Sequence, residues 1–574
     1  MKNNLTKRKS ILFNRASLLT LIYLGSSIFL NAQTFFPKKN YPTTFQNPVD
    51  IPISIVGNFG ECRPNHFHSG VDIRTEGKEN QIVRNVADGY VSRVKIEAGG
   101  FGNAIYITHG AYTTLYAHLN KFYPELESYI RAQQYKNKDW NIDIPFLPHQ
   151  FPVRKGAFIA WSGNTGSSQG PHLHLEIRDT KTEAPLNGLL FFNWKDGKAP
   201  LLKKLAMYDG TKSIYNQSPV VYPIFKNKLS KEIMVIHSDK VFFGIAGDDF
   251  MEIATSTLGI FEMNMYVDDK PFFAWQMDNI SYDITRYMNA IADYKIKKKN
   301  GPWIQLCRRL PNDKLPVYKD FSNTNGVIDL PAGTSKNIRI EVYDTRYNKS
   351  SLSFTIKSNK PAAKMVGNNE FIAGSKNSFQ NDNMSFVLAP EQLYDNIYFT
   401  SSIKPATSEY SHLYQVHTPE VPLHTYFDIL FVPKSTIPIS LKDKIAVVRY
   451  PYGTETTKKG KAATLVNGKV KATIRDFGKY EIVIDQKAPT ILSTIKNNTR
   501  VGNLKQLNFV AKDETTSVKK VEAFIDGQWL RIVQKGDHFY YEMDDHFPLG
   551  THQLLVTAYD ENNNVQKISY TLTR

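Results

Sequence analysis

The stretch that decides the fold of the first domain is Gly170-Pro-His-Leu-His-Leu-Glu-Ile-Arg178. Polar and apolar residues alternate through it, which is the pattern of a half-buried β-strand. Residues two apart in a strand point to the same side. His172 and His174 should therefore share one face, while the leucines and the isoleucine face a core. Two imidazoles on one face suit a metal site, or proton transfer near neutral pH.

Further candidate ligands lie upstream of this strand. His68 and Asp72 are four residues apart, and His118 ends a short apolar run. Seven of the fourteen histidines fall between residues 66 and 174. This clustering favours one shared site over unrelated, solvated histidines.

Taken in order, these motifs resemble the signature of the M23 family of zinc metallopeptidases, the lysostaphin and LytM type of peptidoglycan endopeptidase. The signature is His68-x-x-x-Asp72, then Tyr116-Ala-His118, then His172-x-His174. The glycine-rich text of residues 102–110 and 162–166 matches as well. The resemblance covers about residues 50–195 and says nothing about residues 200–574.

The resemblance implies a site and a reaction. One Zn²⁺ would be bound by His68, Asp72 and His174, and His118 and His172 would be the catalytic pair that does not bind the metal. The substrate would be a peptide bond in a peptidoglycan stem peptide or crossbridge. Three protein ligands plus a water is the composition of a catalytic zinc site. Glu176 would be one ligand too many.

Composition and charge limit the other possibilities. A chain of 574 residues, 41% of them hydrophobic, is too long for one core and too apolar for disorder. The net charge is +17, and +12 without the five basic residues of positions 1–32. Such a charge would draw an exported protein to anionic cell-envelope polymers or membrane headgroups, or it reflects a generally basic proteome. No basic block with interleaved aromatics indicates a nucleic-acid surface.

The N-terminus has the pattern of a targeting segment. Basic residues precede the apolar run of residues 16–30, and Ala32 offers a small residue for cleavage. We predict a cleaved signal peptide over residues 1–32, with an uncleaved anchor as the alternative. The protein would be exported to the periplasm or cell surface, or secreted, with no integral membrane span after cleavage.

The predicted fold is mainly β. We expect an antiparallel β peptidase domain over residues 33–199, with strands at 51–56, 81–86, 89–96, 103–108 and 113–118. Three β-sandwich domains should follow at residues 200–358, 359–485 and 486–574, the last one immunoglobulin-like. The two cysteines, Cys62 and Cys307, fall in different predicted domains, so we expect no bridge between them.

Residues 119–158 form an insert where the family has a short turn. A helix should begin at Pro124, because proline is favoured in the first helical turn. The insert is either a wall or lid that shapes the substrate groove, or a helical packing element.

Two other functions remain open. The chain could be a non-catalytic or autoinhibited cell-envelope scaffold or activator. Alternatively, the β-sandwich tail could be the main functional part, binding the cell surface or a cell-envelope partner.

Overall fold

The computed structural model describes residues 35–252, 256–359, 370–406, 408–454 and 459–574. The predicted signal peptide of residues 1–32 lies outside the described residues. Within the described part, no helix is long and apolar enough to cross a membrane. All elements named below belong to the unit Tyr41–Arg574.

The N-terminal domain consists of short strands and one long helix. The helix is α1 (Pro124–Asn137), and the strands are β1 (Ile55–Gly57), β2 (Cys62–Arg63), β3 (His66–Phe67), β4 (Val71–Arg74), β5 (Ile82–Arg84), β6 (Gly89–Ile96), β7 (Asn103–His109), β8 (Tyr112–Ala117), β9 (Lys121–Phe122), β10 (Ile142–Pro145), β11 (Pro152–Val153), β12 (Phe158–Trp161), β13 (His172–Asp179) and β14 (Pro185–Leu186).

The main sheet places β13 between the two strands that carry the other motifs. Its order is β1-β4-β13-β8-β7-β6-β10, and β13 is antiparallel to both neighbours. Leu173, Leu175 and Ile177 are at most 1% exposed and pack into the domain core, as predicted. The prediction of a half-buried strand is wrong, because His174, Glu176 and Arg178 on the opposite face are buried as well. The small sheet β5-β12-β9 completes this domain.

Most predicted strands lie where expected, and β6 has the predicted bounds. The strand expected over residues 51–56 is wrong in length, because only Ile55–Gly57 pairs with β4. Pro52 has no N–H to donate to a ladder, and Ser54 makes a single backbone contact, accepting from the Arg74 N–H at 2.9 Å. The predicted helix begins at Pro124, as expected, and ends at Asn137.

The first β-sandwich follows at Leu201. Its two six-stranded sheets contain β15 (Leu201–Asp209), β16 (Val220–Phe225), β17 (Lys228–Leu229), β18 (Ile233–Ile236), β19 (Lys240–Asp248), β20 (Glu262–Val267), β21 (Lys270–Gln276), β22 (Gln305–Leu306), β23 (Tyr318–Asp320), β24 (Ile328–Asp329), β25 (Ser335–Tyr343) and β26 (Lys349–Ser358), with the short helices α2 (Met288–Ile291) and α3 (Tyr294–Lys298).

The second sandwich has two five-stranded sheets and one short strand pair. Its strands are β27 (Glu370–Phe371), β28 (Asn377–Gln380), β29 (Met384–Leu388), β30 (Ile397–Tyr398), β31 (Ser401–Pro405), β32 (His412–Val416), β33 (Pro422–Phe431), β34 (Ile445–Tyr450), β35 (Lys459–Ala462), β36 (Thr464–Val466), β37 (Lys469–Asp476) and β38 (Gly478–Ile484).

The third sandwich pairs a four-stranded with a five-stranded sheet. Its strands are β39 (Thr490–Ser493), β40 (Thr499–Arg500), β41 (Gln506–Lys512), β42 (Val518–Ile525), β43 (Gln528–Leu530), β44 (Ile532–Lys535), β45 (His538–Glu542), β46 (Thr551–Asp560) and β47 (Val565–Thr573). The fold is therefore mainly β, and three sandwiches follow the N-terminal domain along the chain.

The hydrophobic cores do not follow the sequence boundaries. Phe59, Cys62 and Phe67 belong to the N-terminal domain by sequence, but they pack into the core that the first two sandwiches share. Cys62 and Cys307 are free, in agreement with the prediction, and both are buried. The third sandwich has its own core.

Candidate metal centre

The register of the main sheet brings three distant motifs together. On β13, His174 lies directly opposite Asp72 of β4 on one side and Ala117 of β8 on the other. His118 follows Ala117 in a left-handed conformation (φ 59°) that turns the chain at the end of β8. Gly70 permits the close packing beside this strand, because a Cβ there would lie 2.9 Å from the His174 imidazole and 2.6 Å from the Leu175 carbonyl oxygen.

Three side chains converge to form a group that could hold a metal ion: His68, Asp72 and His174. Asp72 Oδ1 lies 3.0 Å from His68 Nε2 and 2.8 Å from His174 Nδ1, and the two nitrogens are 3.1 Å apart. All three residues are buried, at 2–5% exposure. Polar atoms this close and this buried need a shared partner, a proton or a cation.

The remaining nitrogen of each of these two histidines is fixed by an acceptor. His68 Nδ1 donates to the Asn58 carbonyl oxygen at 2.9 Å, and His174 Nε2 lies 3.2 Å from Glu176 Oε1. A ring nitrogen held by such an acceptor carries the proton, which leaves the other nitrogen free to bind a metal. The free nitrogens are the two that face Asp72.

His118 and His172 lie beside this group. Their ring centroids are 4.8 Å apart, and His172 Nε2 is 3.4 Å from Asp72 Oδ1. His118 Nδ1 donates to the Thr165 carbonyl oxygen at 2.9 Å, and His172 Nδ1 donates to the Gly170 carbonyl oxygen at 2.8 Å. In the neutral form of each ring, Nε2 is therefore the nitrogen without a proton. The structure brings all five predicted site residues into one place.

Burial and neighbouring charge set the protonation states. Burial lowers the pKa of His68 to about 4, and burial together with His174 and His172 lowers the pKa of His118 to about 3. Burial also acts against protonation of His174, but Asp72 and Glu176 outweigh it and raise its pKa to about 9 in the metal-free protein. Two of the histidines are thus neutral bases near pH 7.

Glu176 supports the candidate ligand His174, a role that the sequence pattern does not indicate. Its side chain is fully buried and accepts from Ser69 Oγ at 2.5 Å and from Arg178 Nε at 2.7 Å. Burial favours the neutral acid, but Arg178 and His174 lower the pKa to about 2, so the group is a carboxylate. The sequence signal that could have indicated this contact is the position of Glu176, two residues after His174 on the same strand face.

The first sandwich adds Tyr282 to this network. Its hydroxyl donates to Glu176 Oε1 and accepts from Arg178 Nη2 at 2.9 Å. The Arg178 guanidinium lies 4.9 Å from the Tyr282 ring centroid and 5.3 Å from that of Tyr106. Nothing in the sequence connects residue 282 with this site.

Two further contacts hold Asp72 and Asn58 in position. Arg63 Nη2 donates to Asp72 Oδ2 at 2.6 Å, which occupies the carboxylate oxygen that faces away from the histidines. The Asn58 side chain pairs with the Gly259 backbone, donating and accepting at 2.8 Å. The residue that fixes His68 is therefore anchored on the first sandwich.

The five residues lie in an open groove of about 1120 Å³. Phe101 and residues 167–171 line it from the N-terminal domain, and Ser256 and Tyr282 line it from the first sandwich. None of residues 119–158 lines it. The helix α1 instead contacts the third sandwich, where Arg131 pairs with Glu542 at 2.7 Å.

His109, another histidine of the same domain, does not line the groove. Its Nδ1 donates to the Asp88 carbonyl oxygen at 3.0 Å, and its Nε2 lies 2.8 Å from Thr114 Oγ1. It therefore hydrogen-bonds within the sheet.

Comparisons with known proteins match two parts of the chain. The model of peptidase family M23 matches residues 66–135, and that of the Zu5-like domain matches residues 368–485. An uncharacterized metalloprotease of Haemophilus influenzae is 38% identical over 144 residues, which are 25% of this chain and 21% of that protein. The DD-carboxypeptidase/endopeptidase Mpg of Neisseria meningitidis serogroup B is 36% identical over 113 residues, 20% of each protein.

Among solved structures, a zinc containing peptidase from Vibrio cholerae is 25% identical, with a TM-score of 0.19, over 26% of this chain and 39% of that one. The chain spans about a fifth of the length of the curated relatives it matches. The sequence matches define the N-terminal domain as that of a peptidase. These matches assign this N-terminal domain, and not the chain as a whole, to peptidase family M23.

Proposed function

We propose that the chain is an exported zinc metalloendopeptidase that hydrolyses peptide bonds of peptidoglycan stem peptides or crossbridges. The observation that carries this proposal is the convergence of His68 Nε2, Asp72 Oδ1 and His174 Nδ1 within 2.8–3.1 Å of one another. The other nitrogen of each histidine already has an acceptor.

The donor set fits zinc. Two imidazoles and one carboxylate are a known ligand composition of catalytic zinc sites, and Zn–N distances near 2.0–2.1 Å imply ligand separations of about 3.3 Å in a tetrahedron. The observed separations are close to that value. A bound Zn²⁺ would polarise a substrate carbonyl and make a water molecule more acidic.

His118 and His172 would act on the substrate and on the attacking water. Because Nδ1 of each ring donates to a backbone carbonyl oxygen, Nε2 is the nitrogen that can accept a proton, and burial keeps His118 neutral. One imidazole can accept a proton from water, and after protonation the pair can donate to the developing oxyanion. The hydrogen bonds at Nδ1 hold both rings in orientation.

The proposed substrate rests on the relatives and on charge. The Neisseria relative is named a DD-carboxypeptidase/endopeptidase. Residues 33–574, without the five basic residues of the predicted signal peptide, keep a net charge of +12, which would favour residence on an anionic cell-wall polymer. The groove is open enough to take an extended peptide. Export rests on the predicted signal peptide.

The test is mass spectrometry of the muropeptides released from purified sacculi by residues 33–574. New peptide termini should appear with the zinc-loaded protein and vanish with a zinc chelator and with His174→Ala. His149→Ala, which changes an exposed histidine of the insert, should release the same products as the native chain.

Products that persist in His174→Ala would refute the proposed site. No products from a folded, zinc-loaded chain would favour the scaffold or activator function instead.

A further inference from the structure

A second group of convergent carboxylates lies at the joint between the peptidase domain and the first sandwich. Asp196 of the linker, Asp249 after β19 and Asp344 after β25 bring one oxygen each within 4.8 Å of the others. Asp249 is 4% exposed and Asp344 is fully buried. Placing three acids together in this way is costly unless a cation compensates them.

One carboxylate oxygen of this group has no protein partner. Asp249 Oδ1 is buried and accepts no hydrogen bond from any described residue. Such atoms are rare in folded proteins and call for an unseen water or ion. Burial, and then the proximity of Asp344, raise the pKa of this carboxyl to about 8, so without a bound cation it holds a proton near neutral pH.

The nearby cationic side chains are directed elsewhere. Arg346 Nη2 donates to the Trp194 carbonyl oxygen at 3.1 Å, and Lys198 Nζ donates to the carbonyl oxygens of Met251 and Glu252 at 3.3 and 3.1 Å. Among the described residues, neither forms a direct ion pair with the three aspartates, although the positive charge of Arg346 opposes the rise in the pKa of Asp196 and of Asp344.

Asp344 is held rigidly in this arrangement. Its Oδ1 accepts from the backbone of Asn348 at 2.9 Å and its Oδ2 from Asn348 Nδ2 at 2.7 Å. Asn348 Nδ2 also donates to the Asp196 carbonyl oxygen at 3.2 Å, which ties the linker to the hairpin.

The third sandwich repeats this geometry. Asp560 accepts from the Asn564 backbone at 2.8 Å and from its Nδ2 at 2.7 Å, and Asn564 Nδ2 donates to the Asp485 carbonyl oxygen at 2.9 Å. Asp485, Asp513 and Asp560 form the matching carboxylate group. Both linkers also read Asp-x-Lys-Ala-Pro, from Asp196 and from Asp485. The arrangement is therefore a built feature of the joints that precede these sandwiches.

We propose that Asp196, Asp249 and Asp344 bind Ca²⁺ at the joint between the peptidase domain and the first sandwich. The donors are all oxygens, which hard cations prefer, and there is no nitrogen or sulfur donor for zinc. Three carboxylates on a linker, a loop and a hairpin suit the flexible coordination of Ca²⁺ better than the strict octahedron of Mg²⁺. The proposal is confined to this joint, where the buried oxygen of Asp249 lacks a partner.

A bound Ca²⁺ would stiffen the segment of the first sandwich that supports the candidate metal centre. The backbone of Asp249 pairs with that of Leu258 through two hydrogen bonds of 2.9 Å, and the next residue, Gly259, holds Asn58. Asn58 in turn accepts from His68. The cation would therefore hold the segment against which a predicted zinc ligand is positioned.

The test uses zinc-loaded residues 33–574, titrated with CaCl₂ in a calorimeter and melted with and without Ca²⁺. The native chain should bind Ca²⁺ at this joint with a Kd of about 10⁻⁴–10⁻³ M, the range of extracellular modules, and its melting temperature should rise. Asp249→Asn should lose this binding event. It should also melt higher than the native chain without Ca²⁺, because one buried acid has been removed.

The matched control is Asp248→Asn. This neighbouring acid pairs with Lys203 at the surface, so its replacement should leave calcium binding unchanged. Asp196 is less buried than the other two aspartates, so Asp196→Asn serves as a second variant if Asp249→Asn fails to fold.

Three outcomes would overturn the proposal. The first is no calcium shift in the native chain. The second is the same number of calcium ions and the same shift in the native chain and in the Asp249 or Asp196 variant. The third is an equal shift with MgCl₂, which would remove the assignment to calcium.

Discussion

The hydroxyl of Tyr282 donates a hydrogen bond to Glu176, although the two residues belong to different domains. Glu176 faces Nε2 of His174, whose Nδ1 points to Asp72. The first sandwich thus contributes directly to the shell around the candidate metal centre. The peptidase domain and this sandwich should behave as one functional unit.

We expect Glu176→Gln to lower zinc affinity by about 10–100-fold, the usual cost of losing a partner behind a ligand. The amide keeps the size of the side chain, but it removes the negative charge that faces His174 and Arg178. Competition with a chromogenic chelator would measure the effect.

Glu97→Gln is the matched control for this change. Glu97 lines the same groove, is partly exposed and pairs with Lys95. Equal affinity in the two variants would show that Glu176 does not support the metal site.

Zinc affinity should rise with pH. In the metal-free protein Asp72 and Glu176 raise the pKa of His174 to about 9, whereas His68 is already neutral at pH 7. A metal binds neutral imidazole, so one proton must leave His174 for each zinc ion bound. Affinity should therefore increase about tenfold per pH unit between about pH 6.5 and 8.5.

The stability of the metal-free protein should change in the opposite sense. A raised His pKa stabilises the fold fully below the unfolded value near 6.5, and this contribution is lost as pH rises through about 9. Calorimetry of zinc binding in buffers of different ionisation enthalpy would count the protons released for each zinc ion bound. A pH-independent zinc affinity across this range would contradict the assignment of His174.

The sequence predicted the residues of the candidate site, but it did not predict the distant residues that support them. The period of two along β13 predicted that His172 and His174 share a face, and Pro124 marked the start of α1. Those signals act within a few residues. Tyr282 is 106 residues from Glu176, and Gly259 is 201 residues from Asn58. One sequence has no local pattern that records such pairings, because they depend on how whole domains pack.

Residues 33–199 alone should be less stable than residues 33–358. Phe59 and Phe67 are 1% and 2% exposed because they pack into the core of the first two sandwiches, and Asn58 loses Gly259 when that sandwich is removed. Exposing each phenylalanine costs about 1.5–3 kcal/mol. Chemical unfolding and zinc titration of both fragments would test this.

The shorter fragment should unfold at lower denaturant concentration and bind zinc more weakly. A fragment 33–199 that matches the longer one in both measurements would show that the interface is dispensable.

The insert helix should anchor the third sandwich without limiting catalysis. The Tyr135 ring stacks on His546 with centroids 3.4 Å apart, and its hydroxyl donates to Asp544 at 2.6 Å. Tyr135→Ala removes both contacts, so hydrogen exchange in residues 486–574 should speed up while peptidoglycan turnover stays unchanged. Lys136→Ala, the next and exposed position on the helix, should alter neither. Higher turnover in Tyr135→Ala alone would mean that the docked insert restrains the enzyme, and would favour the lid over the packing element.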